Sequence, residues 1–371
     1  MNARSSGHAG KRVLMTVDAV GGVWRYALDL AAGLRPWGFE TIFACFGPPP
    51  TSTQANEASL IGKLNVVDAP LDWMVDTNMA LKGIAPAIGD LAVSEEVDLL
   101  HLNLPSQAAA LDIDLPVLIT AHSCVCTWFQ AVRGHQEPDA WAWQRDLNGR
   151  GFKRARAVVM PSQSHATLST GVYGAIDNLY VVHNATRMPA SSPPKENFVF
   201  AAGRWWDDGK NGKTLDKAAA HVDWPVVMAG ANLGPNGQYL ALENARYRGA
   251  LSHARTMDLM SKAAIVVSPS LYEPFGLVAL EAARCGSALV LSDIPTYREL
   301  WDGAAIFVDP RESEGFAAAI TLLAEDSDLR KALGRQAQLW SQKFTVEAQA
   351  EAISDLYVRL LSATDALVTV R

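Results

Sequence analysis

Short runs dense in Val, Ile and Leu alternate along this chain with stretches in which apolar residues recur every three or four positions. The first pattern reads as buried strand and the second as helix laid on a core. Strand-like runs fall at residues 12–17, 41–45, 65–68, 99–102, 117–121, 157–160 and 180–182, then at 198–202, 226–230, 265–267, 288–291 and 306–310. Helices are expected at about 23–34, at 256–261, from about 277 to a stop at Gly286, at about 313–325 and over 344–361. In the last of these, Val346, Ile353, Leu356, Tyr357 and Leu360 form an apolar stripe. Strands with no polar face, each followed by a helix, imply parallel sheets covered on both sides, an α/β fold. Between the two sets, residues 188–197 (MPASSPPKEN) gather Pro and Ser and lose all periodicity, the mark of a boundary. The pattern predicts one doubly wound domain over 1–190, a second over 191–340 and a closing helix within 341–371. Pro48 to Pro50 and the TST that follows read as a surface loop.

A length of 371 residues exceeds what one core usually serves, in keeping with two domains. Hydrophobic content of 49% beside 19% charged residues excludes a disordered chain. The formal charge of −7 argues against a nucleic-acid binder, which carries a basic surplus. Cys45, Cys124, Cys126 and Cys285 are scattered, and the close pair lacks the two-residue separation of zinc sites, so free thiols in a reducing cytosol are expected. The first dozen residues are followed only by VLMTV before Asp18, too short for a secretory apolar region. Nowhere does an apolar run reach the ~18 residues of a membrane span, so a cytoplasmic protein is expected. Between Arg145 and Arg156 five positive charges stand against one negative. That segment is either a solvated helix face or a surface for peripheral contact with anionic lipid or a phosphorylated acceptor.

The densest chemistry lies in residues 264–286, AIVVSPSLYEPFGLVALEAARCG. Strand, loop and helix follow in order, and the loop delivers Glu273, Pro274, Phe275 and Gly276 to the helix start. There the unpaired backbone N–H groups near Gly276 and Leu277, with the positive end of the helix dipole, favour an anion such as phosphate. Glu281 sits one turn above Leu277 on the same face. Each Glu can accept hydrogen bonds from sugar hydroxyls, although two solvated carboxylates on an ordinary βα unit would look the same. Upstream, Arg204 and Lys210 stand six apart across the loop that closes strand 198–202, two cations suited to a diphosphate unless they are merely solvated. Gly212, Lys213 and Thr214 end like a P-loop, but Asp207 occupies the place of its first Gly, which excludes that ATP site.

Toward the N-terminus, Gly21 and Gly22 join the first strand to the first helix, where doubly wound sheets bind ligands, though without the full Gly-x-Gly-x-x-Gly. Their other role would be to let the backbone turn. His122 follows strand 117–121 at the same rim, with His101 a weaker candidate near the end of the preceding strand. A structural hydrogen bond is the alternative for either imidazole. The loop from Arg246 to Leu251 offers backbone groups suited to a nucleobase edge.

Taken together these residues resemble the retaining nucleotide-sugar glycosyltransferases of family 4. Glu273, seven intervening residues and Glu281 (EPFGLVALE) are similar to the family's signature, and Arg204 and Lys210 to its phosphate-binding cations. Gly21 and Gly22 match glycines beside the donor's phosphates, and His122 a histidine that contacts the donor sugar. Trp205 and Trp206 depart from the small aliphatic residue expected after the arginine. The resemblance implies the GT-B fold, two Rossmann-like domains facing a central cleft, with the last helix crossing back to the first. It also implies transfer of a sugar from a UDP- or GDP-sugar to an acceptor hydroxyl with the anomeric configuration kept, the acceptor being a sugar, a lipid-linked group or a small molecule. Catalytic contacts would fall to Glu273, His122, Arg204 and Lys210. Donor binding would involve the two cations together with Gly21, Gly22, Leu251, Phe275, Gly276, Leu277 and Glu281, the last on the ribose. No acidic cluster suited to a metal-bridged diphosphate stands out, so no metal or other cofactor is expected, and no carboxylate is identifiable for a double displacement. A disaccharide phosphorylase or nucleotide-sugar epimerase on the same fold, and a nucleotide-sugar-binding module without catalysis, remain as rival readings.

Overall fold

The structure is a computed structural model that describes residues 10–191 and 193–369, with side chains to residue 363. Residues 1–9, which open the segment read above for a leader, lie outside the described residues. The chain divides into two compact units, one made of Met1–Thr186 with Thr345–Arg371 and the other of Arg187–Phe344.

The first unit is built on β1 (Lys11–Asp18), β2 (Phe39–Phe46), β3 (Lys63–Val66), β4 (Leu99–Leu102), β5 (Val117–Thr120), β6 (Ala157–Met160) and β7 (Leu179–Val181). All pair in parallel, in the order β3-β2-β1-β4-β5-β6-β7. In β1 successive side chains go to opposite faces. Val13, Met15 and Val17 join a core with helix Gly22–Leu34 and the C-terminal helix Val346–Thr369, whereas Leu14 joins a second core with Ile42, Ala44, Leu100 and Ile119. Burial on both faces is why the strands read as unbroken apolar runs rather than as an alternation. The C-terminal helix lies on helix Gly22–Leu34 through Ala350, Ile353, Tyr357 and Leu360. Gly33 permits the approach, since a Cβ there would meet Val346 Cγ1 at 2.6 Å.

In the second unit β8 (Glu196–Ala202), β9 (Val226–Ala229), β10 (Arg246–Tyr247), β11 (Ala263–Ser268), β12 (Ala288–Ser292) and β13 (Ile306–Val308) form another parallel sheet, ordered β10-β9-β8-β11-β12-β13. Here too the strands divide their side chains, Phe200 and Val266 to one core and Val199, Ala201, Ile265 and Val267 to the other. Each sheet therefore reverses its winding beside its first strand, between β1 and β4 and between β8 and β11. At such a switch point the following loops part, and the carboxyl ends of the two strands frame a ligand crevice.

Two expectations need correction. The TST after the prolines belongs to a helix, Ser52–Ser59, and not to a loop. Thr51 is its N-cap: the hydroxyl accepts from Gln54 N at 3.3 Å while Gln54 Oε1 accepts from Thr51 N at 3.0 Å, a reciprocal box that satisfies two helix-end donors. The stretch from Arg246 to Leu251 also is not loop throughout, because Arg246–Tyr247 pairs with Val227 and Met228 as an edge strand.

Candidate functional site

At the switch point of the second unit, the loop after β8 and the loop after β11 are tied together. The carbonyl of Gly209 accepts from Leu271 N at 2.9 Å. Asn211, held in the left-handed region at φ 54°, donates through Nδ2 to the carbonyls of Pro269 at 2.9 Å and Pro310 at 2.7 Å. Lys210 Nζ donates to Glu273 Oε1 at 2.5 Å, and the same oxygen accepts from Ser270 Oγ at 3.0 Å. The two charged side chains are only 21% and 10% exposed, so salt screens this pair less than a surface one. Glu273 Oε2 has no hydrogen bond among the described residues, and the ammonium retains two further N–H groups. Pairing thus orients both groups without consuming them.

Arg204, on the same loop, lies with its guanidinium carbon 5.5 Å above the Trp206 ring, and its Nη2 is 3.6 Å from Asp207 Oδ2. Trp205 points the other way, into the core, where its indole Nε1 donates to the carbonyl of Ala229 at 2.9 Å. The tryptophan pair therefore divides its work: one ring fills the space under the strand ends, and the other is a shelf for the arginine.

Helix Leu277–Arg284 begins beside the Lys210–Glu273 pair in sequence and loop order, with Gly276 as N-cap at φ 88°, ψ 67° and no side chain capping it. Only glycine suits this position on two independent grounds. Its backbone is left-handed, and a Cβ would meet Tyr297 Cε1 at 2.6 Å. Tyr297 is fixed beneath it by a 2.6 Å hydrogen bond with Ser268 Oγ. The first-turn amides of Leu277 and Val278 are consequently presented bare, as an anion site requires. Glu281 stands one turn on and is 6% exposed. Phe275 is turned inward, edge-on to Phe344 at a centroid distance of 5.5 Å, so its backbone alone is left to meet a ligand. Leu251 packs at the margin of the same core.

In the first unit, the turn at Gly21 and Gly22 is made by a side chain. Asp18 Oδ1 accepts from Val20 N at 3.0 Å and Gly21 N at 3.2 Å, and Gly21 itself is extended at φ −142°. Neither glycine adopts a positive φ. What the two glycines do leave is a helix start with no side-chain cap.

His122 is half-buried, its ring edge-on to Tyr26 at 4.3 Å and its Nε2 3.0 Å from Asn103 Oδ1. Asn103 is itself fixed: Nδ2 donates to the carbonyl of Thr16 at 2.6 Å, and its N–H donates to Thr16 Oγ1 at 2.8 Å. With its amide nitrogen so engaged, Asn103 offers His122 an oxygen. Nε2 therefore carries the proton, and Nδ1 is left as an acceptor. Burial, then the neighbouring His165, holds this imidazole well below its ordinary pKa, hence neutral. His101 is a core residue instead. It is fully buried, with Nδ1 2.5 Å from Tyr357 OH and Nε2 2.7 Å from Thr120 Oγ1, and burial pushes its pKa down to about 3. The structural alternative holds for it.

The basic segment forms helix Ala142–Arg154. Arg145 grips Glu137 through two 2.7 Å bonds, Arg154 Nη2 donates to the carbonyl of Ile113 at 2.5 Å, and Arg150 pairs with Asp146 at 3.1 Å. Two of its arginines are thus turned into the fold. No helix among the described residues is long and apolar enough to cross a membrane.

Two doubly wound parallel units, each with its switch point furnished as above, constitute the GT-B glycosyltransferase fold. Solved structures agree: sucrose-phosphate synthase from Thermosynechococcus elongatus superposes with a TM-score of 0.78 at 19% identity, covering 95% of this chain and 100% of that one. Anabaena HepE in complex with UDP and glucose gives 0.74 at 18% identity, covering 94% and 100%. The model for glycosyltransferase family 4 matches residues 20–187, and that for glycosyl transferases group 1 matches residues 184–340. An alpha-maltose-1-phosphate synthase of Mycolicibacterium smegmatis is 31% identical over 279 residues, 63% of this chain and 70% of that protein. A glycogen synthase of Mycobacterium tuberculosis is 34% identical over 148 residues, 39% of this chain but only 34% of the relative's length. The chain belongs to the family 4 glycosyltransferases.

Several residues of these sites carried no local signal. Asn103 and Thr16 reach His122 only through the pairing of β4 with β1 and β5, and Tyr297 reaches Gly276 from a separate helix.

Proposed function

We propose that this glycosyltransferase moves a sugar from a nucleoside diphosphate sugar to an acceptor hydroxyl with retention, and that the second unit holds the diphosphate. The observation that carries the reading is the sheltered Lys210–Glu273 pair in the loops that also present the uncapped start of helix Leu277–Arg284. As the nucleoside diphosphate departs, negative charge builds on its β-phosphate. Lys210, Arg204 and the amides of Leu277 and Val278 stabilise it, each charge-assisted bond contributing about 1.5–3 kcal/mol when sheltered. Glu281 takes the ribose hydroxyls and Glu273 accepts through Oε2 from the sugar, while in the first unit His122 offers Nδ1 as a hydrogen-bond acceptor. The acceptor attacks on the face the leaving group vacates, and a leaving phosphate oxygen takes its proton. Positive charge comes from protein groups, so the reading includes metal independence: turnover should survive a chelator. Relatives named for maltose-1-phosphate and for D-inositol 3-phosphate support glycosyl transfer as the reaction class.

Thermal unfolding against a panel of UDP, GDP and ADP tests the donor half of this reading, because a ligand that binds the folded state raises the midpoint with occupancy. One diphosphate should stabilise the protein, and Glu281→Ala should weaken that nucleotide several-fold without lowering the unliganded midpoint. Unchanged affinity would remove Glu281 from the site.

A further inference from the structure

Helix Gly212–Ala219 starts directly after Lys210 and Asn211, and one turn along it a carboxylate is engaged away from the diphosphate loops. Asp216 is 6% exposed and turns its side chain to residues 243–245. Oδ1 accepts from Asn244 N and Ala245 N, each at 3.0 Å, while Oδ2 accepts from Glu243 N at 3.1 Å and Asn244 Nδ2 at 3.2 Å. Three consecutive backbone amides and a side-chain amide on a single carboxylate make a charge-assisted clamp. Directly after it comes β10, two residues at the sheet edge with both side chains exposed. No buried face sets the register of such a strand, so it has to be fixed from its ends. Asp216 holds the leading end. At the trailing end Arg248 N donates to the Met228 carbonyl at 2.9 Å, and the Gly249 carbonyl accepts from Gly230 N at 2.8 Å. Ala250 and Leu251 follow, and among the described residues neither makes a backbone hydrogen bond. Their N–H and C=O groups are thus left open on a segment held at both ends.

Resting on the reading that this unit holds a nucleoside diphosphate, we propose that Asp216 is a positioning residue for the base, touching no ligand itself. By fixing where β10 begins, the clamp places the open backbone groups of Ala250 and Leu251 to hydrogen-bond the edge of the nucleobase. One base edge is told from another by the order of its donors and acceptors, because a mismatched edge leaves the groups of the site unpaired. A shift of the segment therefore mispairs the right base and lowers the penalty on the wrong ones. Lys210 is held separately, through the bonds of Asn211 to the carbonyls of Pro269 and Pro310. The clamp thus governs the choice of base and not the hold on phosphate.

Titration of UDP, GDP, ADP and inorganic pyrophosphate into the unmutated protein and into Asp216→Asn tests this, since asparagine keeps the shape but sets an amide N–H where an acceptor stood. The nucleotide that the unmutated protein binds best should weaken about tenfold in the variant and approach the other two, with pyrophosphate bound equally by both proteins. Equal affinity for the three bases before substitution, an unchanged ranking after it, or an equal loss for all four probes would overturn the proposal, the last because it marks a merely structural role. Failure of the unmutated protein to bind any of the four would contradict the diphosphate reading itself, and the proposal would fall with it. Hydrogen exchange in the unmutated protein supplies a second arm. The amides of Glu243, Asn244 and Ala245 should exchange slowly although Glu243 and Asn244 are exposed. Exchange at the rate of an open loop would overturn the clamp even where the variant fails to fold.

Discussion

Three imidazoles in the first unit, those of His101, His122 and His165, are held neutral, and burial is the first cause for each. Their pKa values in the folded chain lie below the ordinary value of about 6.5. Stability attached to them is therefore complete above that value and is lost as pH falls toward the folded values, because the unfolded chain binds protons that the folded chain refuses. Acid titration of the unfolding free energy should steepen below pH ~6.5, and His165→Asn should reduce the slope by about one proton. A slope indifferent to that substitution would mean His165 titrates normally. The same refusal bears on the proposed chemistry, since it keeps His122 Nδ1 an acceptor throughout the physiological range and should leave no imidazole step in the pH profile of donor binding.

At the scale of elements, the site depends on how helix Leu277–Arg284 begins. Gly276→Ala places a Cβ against Tyr297 and strains a left-handed backbone, a cost of roughly 1–3 kcal/mol. The expected outcome is a lower unfolding midpoint together with weaker nucleotide binding; a variant with both unchanged would show that the helix start is neither strained nor used. This element was legible in the sequence because strand, loop and helix are each local patterns, and EPFGLVALE runs unbroken from the loop into the helix. What it touches was not. Lys210 meets Glu273 across 63 residues of sequence, through the parallel pairing of β8 with β11. Thr51 is the opposite case. Its capping box was present as T-x-x-Q, and the neighbouring prolines masked it.

For the whole molecule, the notable feature is that the first unit is discontinuous: it closes only when the chain returns at Thr345. Tyr357, on the returning helix, completes the hydrogen bonding of buried His101 at 2.5 Å. Tyr357→Phe should cost about 1–3 kcal/mol, the penalty for a buried polar atom left unsatisfied, and a cost near zero would mean that water replaces the hydroxyl. The apolar stripe that makes this docking was readable at helical spacing, as was the α/β class. The strand order that sets both switch points was not, because it is a property of pairing and leaves no mark within a single strand.

The central claim is that a diphosphate is held by Lys210, Arg204 and the bare amides beside Gly276. Calorimetric titration of UDP and GDP into the protein and into Lys210→Ala tests it most directly. The account predicts saturable binding of one nucleotide, weakened about tenfold to a hundredfold by the substitution, as loss of a sheltered charge-assisted bond implies. Binding of equal strength in both proteins would contradict it.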